Sequence, residues 1–276
     1  MIYPPSPTPA YKVPLPAQAH PEQLRGDPDF MQTLARGLHV IRAFGERRQP
    51  QTAAELARRA GLSRAVTQRC LYTLVALGYA EQHDRHYVLT PLILSLGHAY
   101  FASTPFVSLA QPVLEELSAA VDETCALAIM EGNEMMYLAR SEVHRILATS
   151  LGLGSRLPAY CTAIGRIMLA QLTPVQLARY LEEVELKPYT EYTVVQRARL
   201  CAELEQVQRQ DYAIGDQELE LNVCAIGVPV RSASGKVVSA INVSLKTSRP
   251  QLDRLTHEIL PAARAAADKI GRFLVL

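Results

Sequence analysis

Between Thr52 and Leu89 the apolar positions repeat at helical spacing, break, repeat again and then alternate, and the rest of the chain is read outward from that stretch. Ala53 to Ala60 predicts a short helix. The break at Ala60-Gly61-Leu62-Ser63 places a glycine suited to a left-handed turn just before a serine suited to cap the next helix. In that second helix Val66, Cys70, Leu74 and Leu77 fall at i, i+4, i+8 and i+11, and at about 100° per residue they form one stripe facing a core. The opposite face carries Arg64, Ala65, Gln68 and Tyr72, which with Thr67 make a candidate base-reading set, since such side chains hydrogen-bond to base edges or touch a thymine methyl. Gly78 closes the helix. Tyr79-Ala80-Glu81 and His86-Tyr87-Val88-Leu89 then read as strands about a His83-Asp84-Arg85 tip. A helix-turn-helix followed by a β-hairpin wing points to nucleic acid; residue by residue, an ordinary solvated face is the alternative.

Upstream, Asp29 to Glu46 repeats Leu34, Leu38, Ile41 and Phe44 at helical spacing, with Thr33 as a possible cap, and is expected to pack across the next two helices. Arg36 lies off that stripe, either reaching a phosphate or the minor groove or simply solvated. Arg47 to Gln51 is read as a loop. Thr52 caps the following helix with Glu55 three residues on, and the helix starts at Thr52 and Ser63 are candidate phosphate contacts, as is Arg85 at the wing tip. Residues 1–28 hold eight of the 18 prolines with little periodicity and are read as a disordered tail carrying no site.

After the hairpin, Pro91 to Tyr100 and Phe106 to Ala119 read as helices split at Ser103-Thr104-Pro105, and Leu92, Ile93, Leu96 and Tyr100 are too apolar for a free linker. The expected division is residues 29–90 for the winged helix-turn-helix, 91–120 for linker helices that join the domains and make either dimer or internal contacts, and 121–276 for a second domain. There, Thr124 to Met130 and Met135 to Ala139 flank a turn at Glu131 to Glu134, Ile146 to Ser150 adds a strand, and Leu151 to Pro158 is a glycine-rich loop. That loop lacks the Gly-Lys-Ser/Thr of a phosphate loop. Helices are expected from Cys161 through Leu169, at Pro174 to Glu183 and at Val195 to Gln210. Asn222 to Val230 and Lys236 to Leu245 make a central hairpin, and Gln251 to Leu274 closes the chain. Mixed helices and antiparallel strands predict an α+β fold.

Strand alternation sets Ala240, Asn242 and Ser244 on one face. Polar groups there need partners, supplied either by neighbouring protein groups or by a small polar ligand, and the backbone N–H groups at the start of the Thr162 helix suit a carboxylate.

Composition narrows the function. The 276 residues suffice for two domains, and an apolar share of 49% is that of a globular protein. The net charge of +1 conceals nine arginines against four acidic residues between Leu34 and Thr90, and 17 basic against 20 acidic from Pro91 onward. Only the first part is therefore expected to meet phosphate. With no run of about 18 apolar residues and no secretory leader pattern, the expectation is a cytoplasmic protein without membrane contact. Five scattered cysteines, none in a Cys-x-x-Cys pair, give no metal framework, and no cofactor is implied. Asp216, Glu218 and Glu220 form an acidic run without nearby histidines. Cys161, at a helix start that would lower its thiol pKa, together with His144, keeps open a second class of function, a small-molecule-converting enzyme with a regulatory N-terminal module. No local signature surrounds either residue.

Taken in order, LARGLHVIRAF at 34–44, AELARRAGLSRAVTQRCLYTLVALGY at 54–79, YVLTPLILSLG at 87–97, GSRLPAYCTAIGRIMLA at 154–170 and DQELELNVCAIGVPV at 216–230 resemble the IclR family of bacterial transcriptional regulators, nearly throughout from Asp29. Within that family the resemblance is to the PcaR, PcaU and PobR branch. It implies a winged helix-turn-helix, a linker helix and a GAF-like effector domain, acting as a homodimer or dimer of dimers on double-stranded operator DNA. It also implies a small carboxylic acid effector, aromatic or from the β-ketoadipate pathway, such as protocatechuate or 4-hydroxybenzoate. Carried over by position, the effector site takes Ala163 and Ile164 through their backbone, then Asp216, Ala225, Asn242 and Ser244. At 225 the family often has serine or cysteine; here the cysteine is Cys224, expected to face the other side of the strand. Arg140 and Arg156 are the candidate cations for a second carboxylate.

Overall fold

The computed structural model describes residues 24, 26–46, 49–103, 105–142, 151–246 and 252–274. His144, the strand expected at 146–150 and most of the proline-rich tail lie outside them. The described chain forms two compact units that meet in sequence at residue 104.

In the first unit α1 (Gln32–Ala43) packs on α2 (Ala53–Ala60) and α3 (Arg64–Ala76). α2 opens on a complete capping box, in which the Glu55 N–H donates to Thr52 Oγ1 (3.4 Å) and the Glu55 carboxylate accepts from the Thr52 N–H (2.8 Å). Ser63 Oγ caps α3 by accepting from the Val66 N–H. α3 ends in a Schellman motif at Gly78, φ +80°, where the Tyr79 N–H reaches the Leu74 carbonyl and the Gly78 N–H that of Val75. The wing follows as β2 (Ala80–His83) and β3 (His86–Leu89), around Asp84 at φ +54°. A third strand, β1 (Gln51–Thr52), lies in the segment read as a loop; pairing Gln51 with Tyr87 and Thr52 with His86, it ties the start of α2 to the wing.

Both apolar stripes expected here are met only in part, at Ile41 and Phe44 of the first and at Cys70 and Leu74 of the second. α1 buries Val40 and Ala43, and Phe44 beyond its end, while Leu34 and Leu38 are 58% and 47% exposed; the helix has two adjacent apolar faces and the other one meets α2 and α3. Thr33 lies inside α1 rather than at its cap, and Met31 holds that place without a side-chain bond. α3 buries Thr67, Leu71 and Leu74, leaving Leu77 60% exposed. Thr67 can be buried because its hydroxyl donates to the Ser63 carbonyl (3.1 Å), so a residue that reads as polar serves as core. After a 3-10 turn at Pro91–Ile93, α4 (Leu94–Ser103) ends the unit.

The second unit begins with α5 (Pro105–Val121), which packs on the sheet and on the last helix and so belongs to this body rather than to a linker. The six-stranded antiparallel sheet runs β6 (Arg156–Pro158), β5 (Glu134–Ser141), β4 (Thr124–Glu131), β9 (Val237–Lys246), β8 (Val223–Arg231), β7 (Ala213–Asp216). β6 and β7 have no counterpart among the predicted strands. α5 and α9 (Leu260–Gly271, led in by a π-helical segment at Arg254–Ile259) contact one set of strands, and α6 (Ala163–Leu169), with α8 (Arg197–Gln210) behind it, packs against β8 and β9. α7 (Pro174–Glu183) is capped by Thr173 with Gln176.

α6 is pressed into place by missing side chains. A Cβ at Gly227 of β8 would lie 2.9 Å from the Ala163 backbone, and one at Gly165 would lie 2.2 Å from the Ala159 carbonyl oxygen. On its other side Arg166, only 3% exposed, contacts Glu203 of α8 (2.7 Å) and Glu218 in the loop after β7 (2.6 Å), and its Nε donates to the Tyr160 carbonyl (3.0 Å).

Two substitutions test this fastening by urea unfolding of the whole chain. Gly165→Ala forces backbone apart and is expected to cost about 3 kcal/mol, the upper end for overpacking. Arg166→Leu strands the Glu218 carboxylate away from water, with an expected loss of about 3–5 kcal/mol that the double variant Arg166→Leu/Glu218→Leu partly restores.

Candidate functional site

The first unit presents one polar groove, about 750 Å³, between α3, the start of α2 and the wing. Thr52, Arg64, Gln68 and Arg85 border it together, joined by Arg58 and Gln82. Ser63, Ala65 and Tyr72 are exposed on the same helix, Tyr72 to 77%. Thr67 drops out of the base-reading set: it is fully buried with its hydroxyl committed to Ser63. Arg36 does not border the groove and sits half-buried on α1, close enough to lower the Cys70 thiol against the larger upward push of burial. Arg58 was missed in the sequence because it falls in the last turn of α2, where a cation is ordinary helix chemistry; its place opposite Arg64 comes from the turn at Gly61, φ +64°. Helix starts, cations and a hairpin around one groove are the arrangement with which such folds hold the phosphates and base edges of duplex DNA.

The second unit has a cavity of about 130 Å³ between the start of α6 and the sheet face carrying Asn242 and Ser244. Ala163, Ile164, Ala225, Asn242 and Ser244, the positions carried over from the resemblance, line it, as does Arg140, one of the two candidate cations. Two expected members do not. Arg156 is turned to the β4–β5 hairpin, pairing with Glu134 (2.8 Å) and donating to the Glu131 carbonyl (2.8 Å). Asp216 accepts from Cys224 Sγ (2.8 Å), which also shows Cys224 facing away from the cavity. Missing from the sequence reading were Thr124, Glu142, Lys246 and the loop residues Glu218, Leu219 and Glu220. The loop's signal was present as alternating carboxylates, but their separate uses emerge only once the loop folds over α6, held by the Thr190 and Thr193 hydroxyls on the carbonyls of Gln217 and Glu218.

The polar inventory of the cavity is uneven. Arg140 pairs with Glu142 (2.9 Å) and donates to the Leu151 carbonyl (2.8 Å). Burial pushes the Glu218 carboxyl up, opposed by the Arg166 guanidinium. Ser244 Oγ donates to the Thr124 carbonyl (3.5 Å), and the buried Asn242 Oδ1 has no hydrogen-bond partner. Cys161 corrects a further expectation. α6 starts at Ala163 with Thr162 as its cap, leaving the cysteine outside the first turn; burial, with the Glu218 charge, pushes its thiol up to about 12 rather than down, so it is no nucleophile near neutral pH. Among the described residues no group of three histidine, cysteine or carboxylate side chains is placed to hold a metal, and no helix is long and apolar enough to cross a membrane.

Comparison with known proteins agrees with both halves. Residues 33–84 match the IclR helix-turn-helix domain, and residues 98–272 the C-terminal domain of bacterial transcriptional regulators of the IclR type. The chain is 44% identical over 243 residues to the Pca regulon regulatory protein of Pseudomonas putida, covering 88% of this chain and 84% of that one. It is 32% identical to the p-hydroxybenzoate hydroxylase transcriptional activator of Acinetobacter baylyi, over 91% and 96% of the two chains. Among solved structures, an IclR homolog from Microbacterium hydrocarbonoxydans complexed with 4-hydroxybenzoate superposes with a TM-score of 0.73 at 25% identity, covering 87% of this chain and 97% of that one. By sequence across both units and by fold, the protein belongs to the IclR family of bacterial transcriptional regulators, DNA-binding proteins rather than enzymes.

Proposed function

We propose that this regulator controls aromatic-acid catabolism, with a small carboxylic acid as the effector that fills the cavity between α6 and the strand carrying Asn242 and Ser244. The single observation that carries the proposal is that cavity: it lies where the family resemblance implied, six of its expected residues line it, and the chain shares its fold with a homologue complexed with 4-hydroxybenzoate. Relatives named for the Pca regulon and for p-hydroxybenzoate hydroxylase support the same metabolic setting.

On DNA, Arg64 and Gln68 read base edges from the groove while Thr52, Ser63 and Arg85 hold phosphates, with Ala65 and Tyr72 supplying apolar contact; Arg36 acts at the margin of the interface. Working in the cytoplasm as a homodimer or dimer of dimers, the protein sets two recognition helices about one DNA turn, roughly 34 Å, apart. The effector biases which separation is populated, and it does so only as far as it binds one state better than the other. No bond is made or broken.

Arg64→Ala and Gln68→Ala are each expected to weaken binding to the cognate promoter by about 1–3 kcal/mol with little effect on unrelated DNA, measured by fluorescence anisotropy. Arg85→Ala is expected to weaken binding to all sequences alike and to reduce the salt slope by about 1. Wild-type affinity in both α3 variants would refute the assignment of α3 to base reading. In a thermal-shift screen of aromatic and dicarboxylic acids, a true effector at 100 times its dissociation constant stabilises the fold by about 2.7 kcal/mol; a flat screen would remove the acid effector and leave DNA binding standing.

A further inference from the structure

The wing is weakly held by its own packing. Of the residues in the four-residue strands β2 and β3, Ala80 and Tyr87 alone are buried, and an isolated hairpin of that size has little stability. The turn at Gly78 and the Thr90 hydroxyl hold the end of the hairpin far from its tip. Nearer the tip stands β1: its pairing of Thr52 with His86 ends one residue short of Arg85.

A strand of two residues needs an anchor, and the side chain of Gln51 is placed to be one. Gln51 is 2% exposed. Its Nε2 donates to the Phe44 carbonyl (3.1 Å), one of the acceptors that the end of α1 leaves open, and its Oε1 accepts from the Arg59 guanidinium in the last turn of α2. A carbonyl accepts and a guanidinium donates, so one orientation of the amide satisfies both partners and the other satisfies neither. Two successive arginines are thereby divided in use. Arg58 borders the DNA groove, whereas Arg59 does not border it and turns its guanidinium to Gln51.

Resting on the proposal above that Arg85 holds phosphate, we infer that Gln51 is a positioning residue for DNA binding. Its amide fastens β1 to the ends of α1 and α2, and β1 carries β3, so the amide sets where the wing tip stands relative to α3. The tip is closed on itself by Gln82 Nε2 donating to the Asp84 carbonyl (2.7 Å), and it follows β3 as one piece. Without the Gln51 amide the Arg85 cation remains but its place beside the groove is no longer fixed, and the phosphate contact is lost.

Fluorescence anisotropy of the purified full-length protein with a random-sequence DNA duplex, across a range of salt, tests this, with circular dichroism showing that each variant is folded. Gln51→Met keeps the side-chain volume and removes both hydrogen bonds. It is expected to flatten the slope of log K against log salt by about 1 per protomer, the change also expected of Arg85→Ala, and the double variant Gln51→Met/Arg85→Ala is expected to flatten it no further. A residue serving stability alone would lower the folded fraction while leaving the slope of the folded protein as it was. Should Gln51→Met not fold, Gln51→Glu is read in the same way, since it keeps an acceptor for Arg59 but sets an oxygen against the Phe44 carbonyl. An unchanged slope in the folded Gln51 variant, or changes that add in full in the double variant, overturns the inference and leaves the Arg85 contact standing. An unchanged slope in Arg85→Ala removes that contact, and the inference with it.

Discussion

The buried guanidinium of Arg166 ties together three pieces of chain that also share an apolar core. It comes from α6, reaches α8 through Glu203 and the loop after β7 through Glu218, and uses its Nε on the Tyr160 carbonyl. Removing such a cation from water is expensive unless its donors are matched, and here three of its nitrogens have near partners. The loop it anchors and the start of α6 both line the cavity, so the ion pairs act beside the apolar packing of Ile164, Ile167 and Leu219 in holding those walls. Two glycines fix the opposite limit: Gly227 of β8 lets the Ala163 backbone approach, and Gly165 within α6 lets the Ala159 backbone approach, each closer than a Cβ would allow. Clamped from both sides, the cavity is available to a ligand without a collapse that would first have to be undone.

The DNA-binding unit solves a similar problem with neutral groups. Its wing is positioned by a two-residue strand, by the Schellman turn at Gly78 and by the Thr90 hydroxyl donating to the Gly78 carbonyl (2.6 Å), and the exposed cations Arg64 and Arg85 sit on that frame. Neutral backbone and hydroxyl hydrogen bonds set the position of the wing, while its contacts to phosphate would weaken with salt.

Element types were largely legible in the sequence, because helical spacing, capping residues and the Gly61 and Gly78 breaks are local signals. Phase was not. The faces of α1 and α3 were misjudged where a helix carries two apolar rows, or where a threonine hides its hydroxyl on its own backbone, since only tertiary packing chooses between rows. β7 and β6 are short edge strands defined by their partners, and neither contains enough residues to show a period. In the effector site, positions carried over from the family resemblance reached the cavity when they sat on β8, β9 or α6. The carry-over failed at Asp216, and of the two candidate cations Arg156 failed as well, their side chains being claimed by Cys224 and Glu134. Spacing in sequence says nothing of which nearby polar group will win a side chain, so Glu218 showed only as part of an acidic run and Lys246 gave no signal.

β9 divides its residues by parity. Ile241, Val243 and Leu245 point to one side and belong to the core, whereas Ala240, Asn242 and Ser244 point to the other, where the last two meet the cavity. β8 repeats the division, with Ile226 in the core and Ala225 on the cavity. Along the cavity-side face of β9, Ala240 belongs to the core cluster while Asn242 and Ser244 line the cavity, so recognition positions sit beside folding positions on the same face. New side chains at Asn242, Ser244 and residue 225 would change the cavity surface while leaving Ile241 and Val243 on the opposite face of the strand in place. Descendants of such a gene can exchange one inducer for another by single substitutions while keeping an unaltered scaffold.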